Sequence, residues 1–296
     1  MNAIHYNISA VERDTGLSKD VLRVWERRYG FPQPERDSNG DRLYPAAQVD
    51  RLRLIRRLMD QGHRPGRLLA LNDEELATLH SSHKTDKPEE SATIADTELG
   101  ELLEPIRRHH AADFLMAMQQ RLARQGMLCF VEDTIAPLTE LVGMAWESGK
   151  IEVFEEHLYT ELTKRLLRQA IATLPARPQG RRILLTTVPE ERHSLGLLMV
   201  EAVLSIEGAH CIPLGPQMPL IEIARAAAAH QAEVVALSFS SAFPQRQIAG
   251  LLQQLETLLP AGVELWAGGA GIAKLPEIPG IHFFTTLATA RQALVA

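Results

Sequence analysis

The spacing of hydrophobic residues divides the chain into regions of different character. Between positions 99 and 174, apolar residues recur three or four positions apart, as in amphipathic helices, and we expect a helical bundle there. From position 181 onward, short β-rich runs alternate with helix-like stretches, which is the pattern of a parallel α/β sheet. Five such runs predict five strands in a doubly wound domain: 183–188, 211–214, 234–239, 263–267 and 281–284.

The first 30 residues carry the apolar spacing of two short helices joined around Gly16. Ser18 is the predicted N-cap of the second helix, and Trp25 is expected to pack in the core. Side chains that could neutralise phosphates or donate to guanine edges lie on the polar face of this second helix: Lys19, Arg23, Arg27 and Arg28.

A hairpin is predicted directly after these helices. Asn39 and Gly40 stand between short extended segments, and an Asn-Gly pair in that setting is a strong hairpin signal. Arg42 and Tyr44 follow it, beside the predicted reading helix. The combination of two helices and a hairpin predicts a winged helix-turn-helix.

The predicted fold class is multidomain, α and α/β, with boundaries set by composition. A polar stretch nearly free of large apolar residues indicates a linker over 80–96. The linker separates a winged helix-turn-helix head (1–79) from a helical bundle (97–176). A Rossmann-like doubly wound domain with a parallel five-stranded sheet completes the chain (177–296).

Composition narrows the class of protein. The chain has 296 residues, 45% of them hydrophobic, which suffices for several buried cores. We expect a cytoplasmic protein with no membrane partner, because no apolar run is long enough for a signal peptide or a membrane span. Cys129 and Cys211 are too few for a disulfide framework or a cysteine zinc site.

Charge is distributed unevenly along the chain. The formal net charge is -6, which by itself argues against binding to nucleic acid. Residues 1–70, however, hold 13 Lys and Arg against 9 Asp and Glu, while the remainder holds 18 against 28. A basic head on an acidic body is typical of a DNA-binding module attached to a sensor or oligomerisation module.

One loop of the α/β region carries residues suited to holding a metal. Glu191, His193 and Gly196 follow the first predicted strand. A neutral imidazole can coordinate a metal through one nitrogen while a nearby carboxylate accepts the proton of the other. Taken alone, the motif is short, and a histidine beside a loop is more often simply hydrogen-bonded or solvated.

The head resembles the DNA-binding domain of MerR-type transcription regulators over residues 6–68. Helix, Trp-Glu-Arg-Arg-Tyr-Gly segment, wing and following helix occur in the order of that family. The resemblance implies a double-stranded DNA operator, with RNA polymerase as a further candidate partner. It also implies that five residues face DNA: Lys19, Arg23, Arg27, Arg42 and Tyr44. The alternative is that these charges form only a solvated helical face.

The α/β region resembles the cobalamin-binding domains of the methionine-synthase type. In those domains an Asp-x-His-x-x-Gly loop supplies a histidine that displaces the cofactor's own base from cobalt. The resemblance makes His193 the metal ligand and Glu191 its carboxylate partner, and Glu191 departs from the usual aspartate. The same resemblance assigns the nucleotide tail of the cofactor to four residues, of which Ser240 replaces the usual leucine: Ser238, Ser240, Gly268 and Gly269. Gly196 would let the backbone pass close to a bulky ligand.

The helical region resembles the bundle of MerR-type cobalamin regulators, which covers the upper face of the corrin. The matching residues are Trp146, Val153, Glu156 and His157. A flat indole suits a broad apolar face, and Glu156 could accept hydrogen bonds from an upper adenosyl group, which favours adenosylcobalamin. The alternative is that Trp146 packs the bundle core and the Glu-His pair lies on a helix surface.

The function that these resemblances imply is transcription regulation, with repression favoured. The chain is identified as similar to the adenosylcobalamin-dependent light-responsive repressors, which implies a homo-oligomer, either a dimer or a tetramer. Light-sensing relatives have a second histidine after the tryptophan, whereas Glu147 stands here. Two alternatives stay open: a regulator whose cofactor pocket is vestigial and answers to a protein or another effector, and a corrinoid methyl-carrier or enzyme. We expect no enzymatic activity.

Overall fold

The chain forms two compact units, one built mainly from its N-terminal residues and the other mainly from its C-terminal residues. The computed structural model describes residues 5–37, 40–60, 63–82, 94–175 and 177–295. Within these ranges, no helix combines the length and the apolar character that crossing a membrane requires.

The N-terminal unit begins with the two predicted helices. Strand β1 (His5–Asn7) leads into α1 (Ile8–Thr15), which ends at Gly16 with a left-handed φ of 68°. Helix α2 (Lys19–Tyr29) begins after Ser18, whose hydroxyl accepts a hydrogen bond from the backbone N–H of Val21. The predicted N-cap is therefore confirmed, as is the joint at Gly16.

The predicted hairpin is present beside these helices. Strands β2 (Glu35–Arg36) and β3 (Arg42–Pro45) pair antiparallel, and β1 pairs with the other edge of β3. Asn39 lies outside the described residues, but the backbone N–H of Gly40 donates to the Asp37 carbonyl and that of Asp37 donates to the Asp41 carbonyl, both at 3.0 Å. Three helices follow the hairpin: α3 (Ala46–Asp60), α4 (Pro65–Leu68) and α5 (Asp73–Ser82).

One core holds this unit together. Its aromatic members include Trp25, which is 5% exposed, as predicted. Leu22 of α2 and three leucine or isoleucine side chains of α3 are fully buried in the same cluster: Leu52, Ile55 and Leu58. Burial of this apolar face fixes α2 on the unit and leaves its polar face exposed.

The ends of the predicted linker, 80–96, overlap two helices. Helix α5 continues to Ser82 and helix α6 begins at Ile94. Residues 83–93 lie outside the described part of the chain. Helix α5 extends into the polar stretch because it contains no Gly or Pro that would end its hydrogen-bonded turns before Ser82.

The C-terminal unit opens with the predicted helices: α6 (Ile94–Arg107), α7 (Ala111–Cys129), α8 (Ala136–Glu147) and α9 (Val153–Ala172). Helix α7 is interrupted at Gly126, which has φ 74° and ψ 164°. A π-helical segment (Phe130–Ile135) then joins α7 to α8 and buries Phe130 and Ile135 completely. Such wide turns occur frequently at functional sites.

The five-stranded parallel sheet is confirmed. Its strands are β4 (Arg182–Thr186), β5 (His210–Gly215), β6 (Val234–Ser238), β7 (Glu264–Gly268) and β8 (Ile281–Phe284), in the spatial order β5-β4-β6-β7-β8. The helices that follow the first three strands and the last one are α10 (Leu195–Ile206), α11 (Leu220–Ala229), α12 (Gln245–Leu258) and α13 (Leu287–Val295).

Both faces of the sheet are covered. Leu184 and Val235 pack on one side, while their chain neighbours Ile183 and Val234 pack on the other. The chain order reverses between β4 and β6, which are neighbours at the centre of the sheet. In open α/β sheets, ligands bind outside the carboxyl ends of the strands at this switch point.

Candidate functional site

The loop after β4 is built around the carboxylate of Glu191. This side chain is 1% exposed, and its Oε1 accepts hydrogen bonds from the backbone N–H of His193 (2.9 Å) and from His193 Nδ1 (2.8 Å). The two residues sit directly before α10, which starts at Leu195. The carboxylate therefore fixes both the backbone and the ring of His193.

Ser240 brings the end of β6 to the same carboxylate. Glu191 Oε2 accepts hydrogen bonds from the backbone N–H and from the hydroxyl of Ser240, both at 2.8 Å. The hydroxyl also lies 3.0 Å from His193 Nδ1. The two loops at the switch point are thus joined by one buried carboxylate.

Electrostatics keep Glu191 ionised. Burial favours its neutral form, but hydrogen bonds from the ring and backbone of His193 and from the backbone of Ser240 outweigh burial, and the pKa of Glu191 lies below its ordinary value. An ionised carboxylate holds the proton of His193 on Nδ1. With its side chain 60% exposed, His193 can then offer Nε2 to a metal.

The loop is strained, and a residue that the sequence analysis missed stabilises it. Glu190 has φ 71°, a conformation that residues other than glycine rarely adopt. Thr187 Oγ1 donates to the carbonyl of Glu191 at 2.6 Å and accepts from the backbone N–H of Gln217 at 2.8 Å. The position of Thr187 at the carboxyl end of a buried strand was the signal available in the sequence.

Glycines allow neighbouring segments to approach closely at the base of this site. A Cβ atom on Gly196 would lie 2.7 Å from Ser238 Oγ, and one on Gly269 would lie 2.4 Å from the carbonyl oxygen of Phe239. Gly271, another residue that the sequence analysis missed, would place a Cβ 2.6 Å from the carbonyl oxygen of Ser240. Gly268 is less tight, at 3.2 Å from the Phe284 carbonyl oxygen. Only glycine allows such a close approach, and we call this closely packed edge of the sheet the glycine cradle.

The first turn of α9 carries Glu156 and His157, and Glu156 interacts electrostatically with His193 of this loop. Glu156 Oε2 lies 2.8 Å from His157 Nδ1, and Glu156 Oε1 accepts from Thr160 at 2.8 Å. Burial would raise the pKa of Glu156, but these partners outweigh it and lower the pKa, with a further contribution from the charge of His193. The structure therefore brings Glu156 of the bundle near the His193 loop.

The other two bundle residues lie at the helix ends that flank this turn. Trp146 is half-buried in the last turn of α8, and Val153 is the half-buried first residue of α9.

We expect the Glu156–His157 pair to make stability depend on pH. The hydrogen bond to Glu156 raises the pKa of His157, so the contribution is complete below about pH 6.5 and is lost as pH rises through the raised value. Because His157 is exposed, the loss should stay below about 1 kcal/mol. Thermal unfolding between pH 6 and pH 9, in about half-unit steps, should show a steeper decline for the wild type than for His157→Gln. His230→Gln, which removes a surface histidine elsewhere, should decline like the wild type.

The cationic face of α2 is exposed as predicted. Arg23, Arg27 and Arg28 are exposed, and Lys19 is half-buried beside Glu12, with the ion pair at 3.6 Å. Arg23 Nη1 lies 3.2 Å from Asp20 within the same helix. These side chains form one basic surface, which we call the α2 basic face.

The wing residues differ from the expectation. Arg42 donates from Nε to Glu26 Oε2 at 2.8 Å, a bond that raises the pKa of Arg42 and ties the wing to α2. Tyr44 is fully buried in the core of the unit, so the prediction that its side chain faces DNA is corrected. Position 44 lies in the β3 strand that pairs on both edges, and its side chain points inward from there.

Comparison with protein families matches three parts of the chain. Residues 6–68 match the MerR HTH family regulatory protein, and both 100–171 and 181–294 match B12 binding domains. The chain thus combines a MerR-type DNA-binding domain with B12-binding domains. This combination supports a DNA-binding transcription regulator controlled by cobalamin.

Two transcriptional repressors are similar to this chain over most of its length. The HTH-type transcriptional repressor CarH of Myxococcus xanthus is 28% identical over 268 residues, which cover 90% of this chain and 89% of CarH. The repressor CarA of the same organism is 26% identical over 247 residues, or 83% of this chain and 80% of CarA. Among solved structures, the Methanosarcina barkeri monomethylamine corrinoid protein covers 67% of this chain and 97% of its own, with TM-score 0.53 and 19% identity, and so shares the fold of the C-terminal unit.

Proposed function

We propose that this MerR-type regulator is a repressor whose assembly or DNA affinity changes when adenosylcobalamin binds between the bundle and the α/β domain. The observation that carries the proposal is the Glu191–His193–Ser240 network at the carboxyl ends of β4 and β6. A buried carboxylate that satisfies four donors and orients one exposed imidazole is the arrangement that a histidine metal ligand needs. This arrangement argues against a vestigial pocket.

His193 is the proposed lower ligand of cobalt, through Nε2. Bound cobalamin would supply a cobalt ion, and His193 would hold it through Nε2. The nucleotide tail would lie in the glycine cradle, held by five residues: Gly196, Ser238, Ser240, Gly268 and Gly269. The short distances from the Gly196 and Gly269 Cβ positions to Ser238 and Phe239 support this placement, because a side chain at either glycine would push apart the segments that line the cradle.

The bundle would cover the upper face of the corrin. Trp146 and Val153 supply apolar surface, and ionised Glu156 is positioned to accept hydrogen bonds from the hydroxyls of an adenosyl group, with His157 holding its carboxylate. Glu147, which is exposed, stands where light-sensing relatives have a second histidine. Cobalt capture by a histidine at that position is therefore not part of the proposed mechanism.

The proposed switch acts on DNA through an oligomer in the cytoplasm. A cofactor shifts an equilibrium only by its difference in affinity for two states, so adenosylcobalamin must prefer one assembly over the other. A dimer or tetramer would place two or more heads on a palindromic or repeated operator. RNA polymerase is a further proposed partner of a regulator bound at a promoter.

The visible absorption spectrum tests the cofactor proposal directly. The purified protein is incubated with adenosylcobalamin in the dark, passed through gel filtration and compared with His193→Ala. We expect the wild type to retain the corrin spectrum and the variant to lose or alter it. Repeating both after illumination, with operator DNA binding as a second readout, shows whether light changes the state. A colourless wild type contradicts the proposal.

Arginine substitutions test the α2 basic face. Arg27→Ala should weaken binding to duplex DNA by about 1 kcal/mol. It should also make the slope of log affinity against log salt concentration shallower, by about the contribution of one phosphate contact. Arg225→Ala is the matched control, since Arg225 is an exposed helix arginine that pairs only locally, with Glu222. Fluorescence anisotropy at several salt concentrations measures both effects, and equal behaviour of the two variants would remove Arg27 from the interface.

A further inference from the structure

The bundle meets the α/β domain along helix α10. This helix packs on α7 and on the π-helical segment 130–135 through one side, and on α13 and the edge strand β5 through others. The Glu191–His193 loop leads directly into α10, so its position is fixed relative to that helix. The position of the bundle relative to His193 therefore depends on its contacts with α10, and the π-helical segment is one of the two bundle elements that make them.

Arg291 of α13 bridges these parts. Its Nη1 lies 3.2 Å from Glu207 Oε1, at the C-cap of α10, and its Nε lies 3.6 Å from Glu132 Oε1 on the π-helical segment. All three side chains are at least two-thirds buried. One guanidinium thus neutralises two carboxylates that belong to different domains.

The bridge to Glu132 is incomplete. Glu132 Oε1 and Arg291 Nε are both buried and make no hydrogen bond within the described part of the chain. At 3.6 Å the two atoms are a few tenths of an ångström beyond hydrogen-bond distance. Burial without a hydrogen bond is unfavourable for both atoms, so a small approach of the bundle toward α13 gains free energy.

Movement at Glu132 is transmitted to the proposed upper face of the cofactor. The π-helical segment continues without a break into α8, and Trp146 lies in the last turn of that helix. A helix of 12 residues is a rigid rod about 18 Å long. A shift of its first turn therefore moves the indole.

We propose that Arg291 is a positioning residue that sets the bundle against the α/β domain, and that the Glu132–Arg291 hydrogen bond forms as the bundle closes on the cofactor. The inference rests on the proposed cobalamin site. Arg291 touches no cofactor in this proposal; it acts through Glu132 and α8. Removing its charge leaves the partly buried carboxylates of Glu132 and Glu207 without the cation that they share, which favours an open bundle.

Cobalamin titration of Arg291→Ala provides the first test. We expect affinity to fall about tenfold relative to the wild type. Glu132→Gln removes the charge on the bundle side of the bridge and keeps the shape of the side chain. It should lower cobalamin affinity by a similar factor, and it replaces Arg291→Ala in this test if that variant folds poorly. The double variant should lose no more than the larger single loss, because both changes break one interaction. Arg225→Ala should bind cobalamin as the wild type does.

Hydrogen exchange of the cofactor-free protein provides a readout that does not depend on cobalamin. In Arg291→Ala, amides of residues 130–147 should exchange faster, while those of the central strands β4 and β6 should not change. Unchanged affinity in a folded Arg291→Ala, or unchanged exchange over 130–147, overturns the inference. If the wild type binds no cobalamin, the proposed function fails, and the exchange experiment still decides whether Arg291 holds the bundle.

Discussion

Replacing Gly269 by alanine should destabilise the C-terminal unit by several kcal/mol and abolish retention of cobalamin. Two costs combine at this position. The backbone has φ 98°, which disfavours any L side chain by about 1–3 kcal/mol. The added Cβ would also meet the Phe239 carbonyl oxygen at 2.4 Å, so β6 and β7 must separate at the carboxyl edge of the sheet. Thermal unfolding and cobalamin titration measure the two effects.

A second glycine separates the two costs. Gly262 also has a left-handed φ, 86°, but its Cβ position meets no atom within 4 Å. Gly262→Ala should therefore show only the conformational cost, about 1 kcal/mol, and should retain cobalamin. Equal losses of stability in the two variants would mean that close approach to Phe239 contributes nothing at Gly269. Retention of cobalamin by Gly269→Ala would show that the cradle tolerates displacement.

Periodicity predicted most of the fold because each element here follows a local rule. The run 281–284 coincides with β8, and the first two helices begin and end at residues whose capping roles are local. Short β-branched apolar runs are typical of buried strands in a parallel sheet, so few other structures could be assigned to them. The predicted linker overlaps the ends of α5 and α6 because polar composition does not by itself end a helix.

The candidate site was predictable only where chain neighbours make it. The Glu191–His193 hydrogen bonds join residues two positions apart, and the motif indicated them. Ser240 lies 49 positions from Glu191 in the sequence, yet it donates to the same carboxylate. The sequence analysis had assigned Ser240 to the nucleotide tail and did not predict this contact. Tyr44 was misplaced because a sequence shows that a wing exists without showing which side of its short strand is buried. Arg291 and Glu132 carry no motif, since their pairing depends on tertiary packing.

Replacing Glu191 by glutamine should lower cobalamin affinity between about tenfold and a hundredfold. The amide is nearly isosteric with the carboxylate, but its NH₂ group replaces one of the two accepting oxygens. That group would then face either the two donors of His193 or the two donors of Ser240, and it cannot accept their hydrogen bonds. Leaving such donors unpaired should also cost about 1–3 kcal/mol of stability in the cofactor-free protein. Glu190→Gln, at the exposed neighbouring position, is the matched control and should change neither quantity.

The same substitution should change the acid sensitivity of the fold. The folded-state pKa of Glu191 is lowered, so its contribution to stability is present above its ordinary pKa of about 4.5 and is lost as pH falls through the folded value. The wild type should thus lose stability below about pH 4.5 more steeply than Glu191→Gln, which has no proton to gain at this position. Parallel acid denaturation curves would mean that the carboxylate is not held ionised by His193 and Ser240. His193 would then lack the fixed proton on Nδ1 that makes Nε2 available to cobalt.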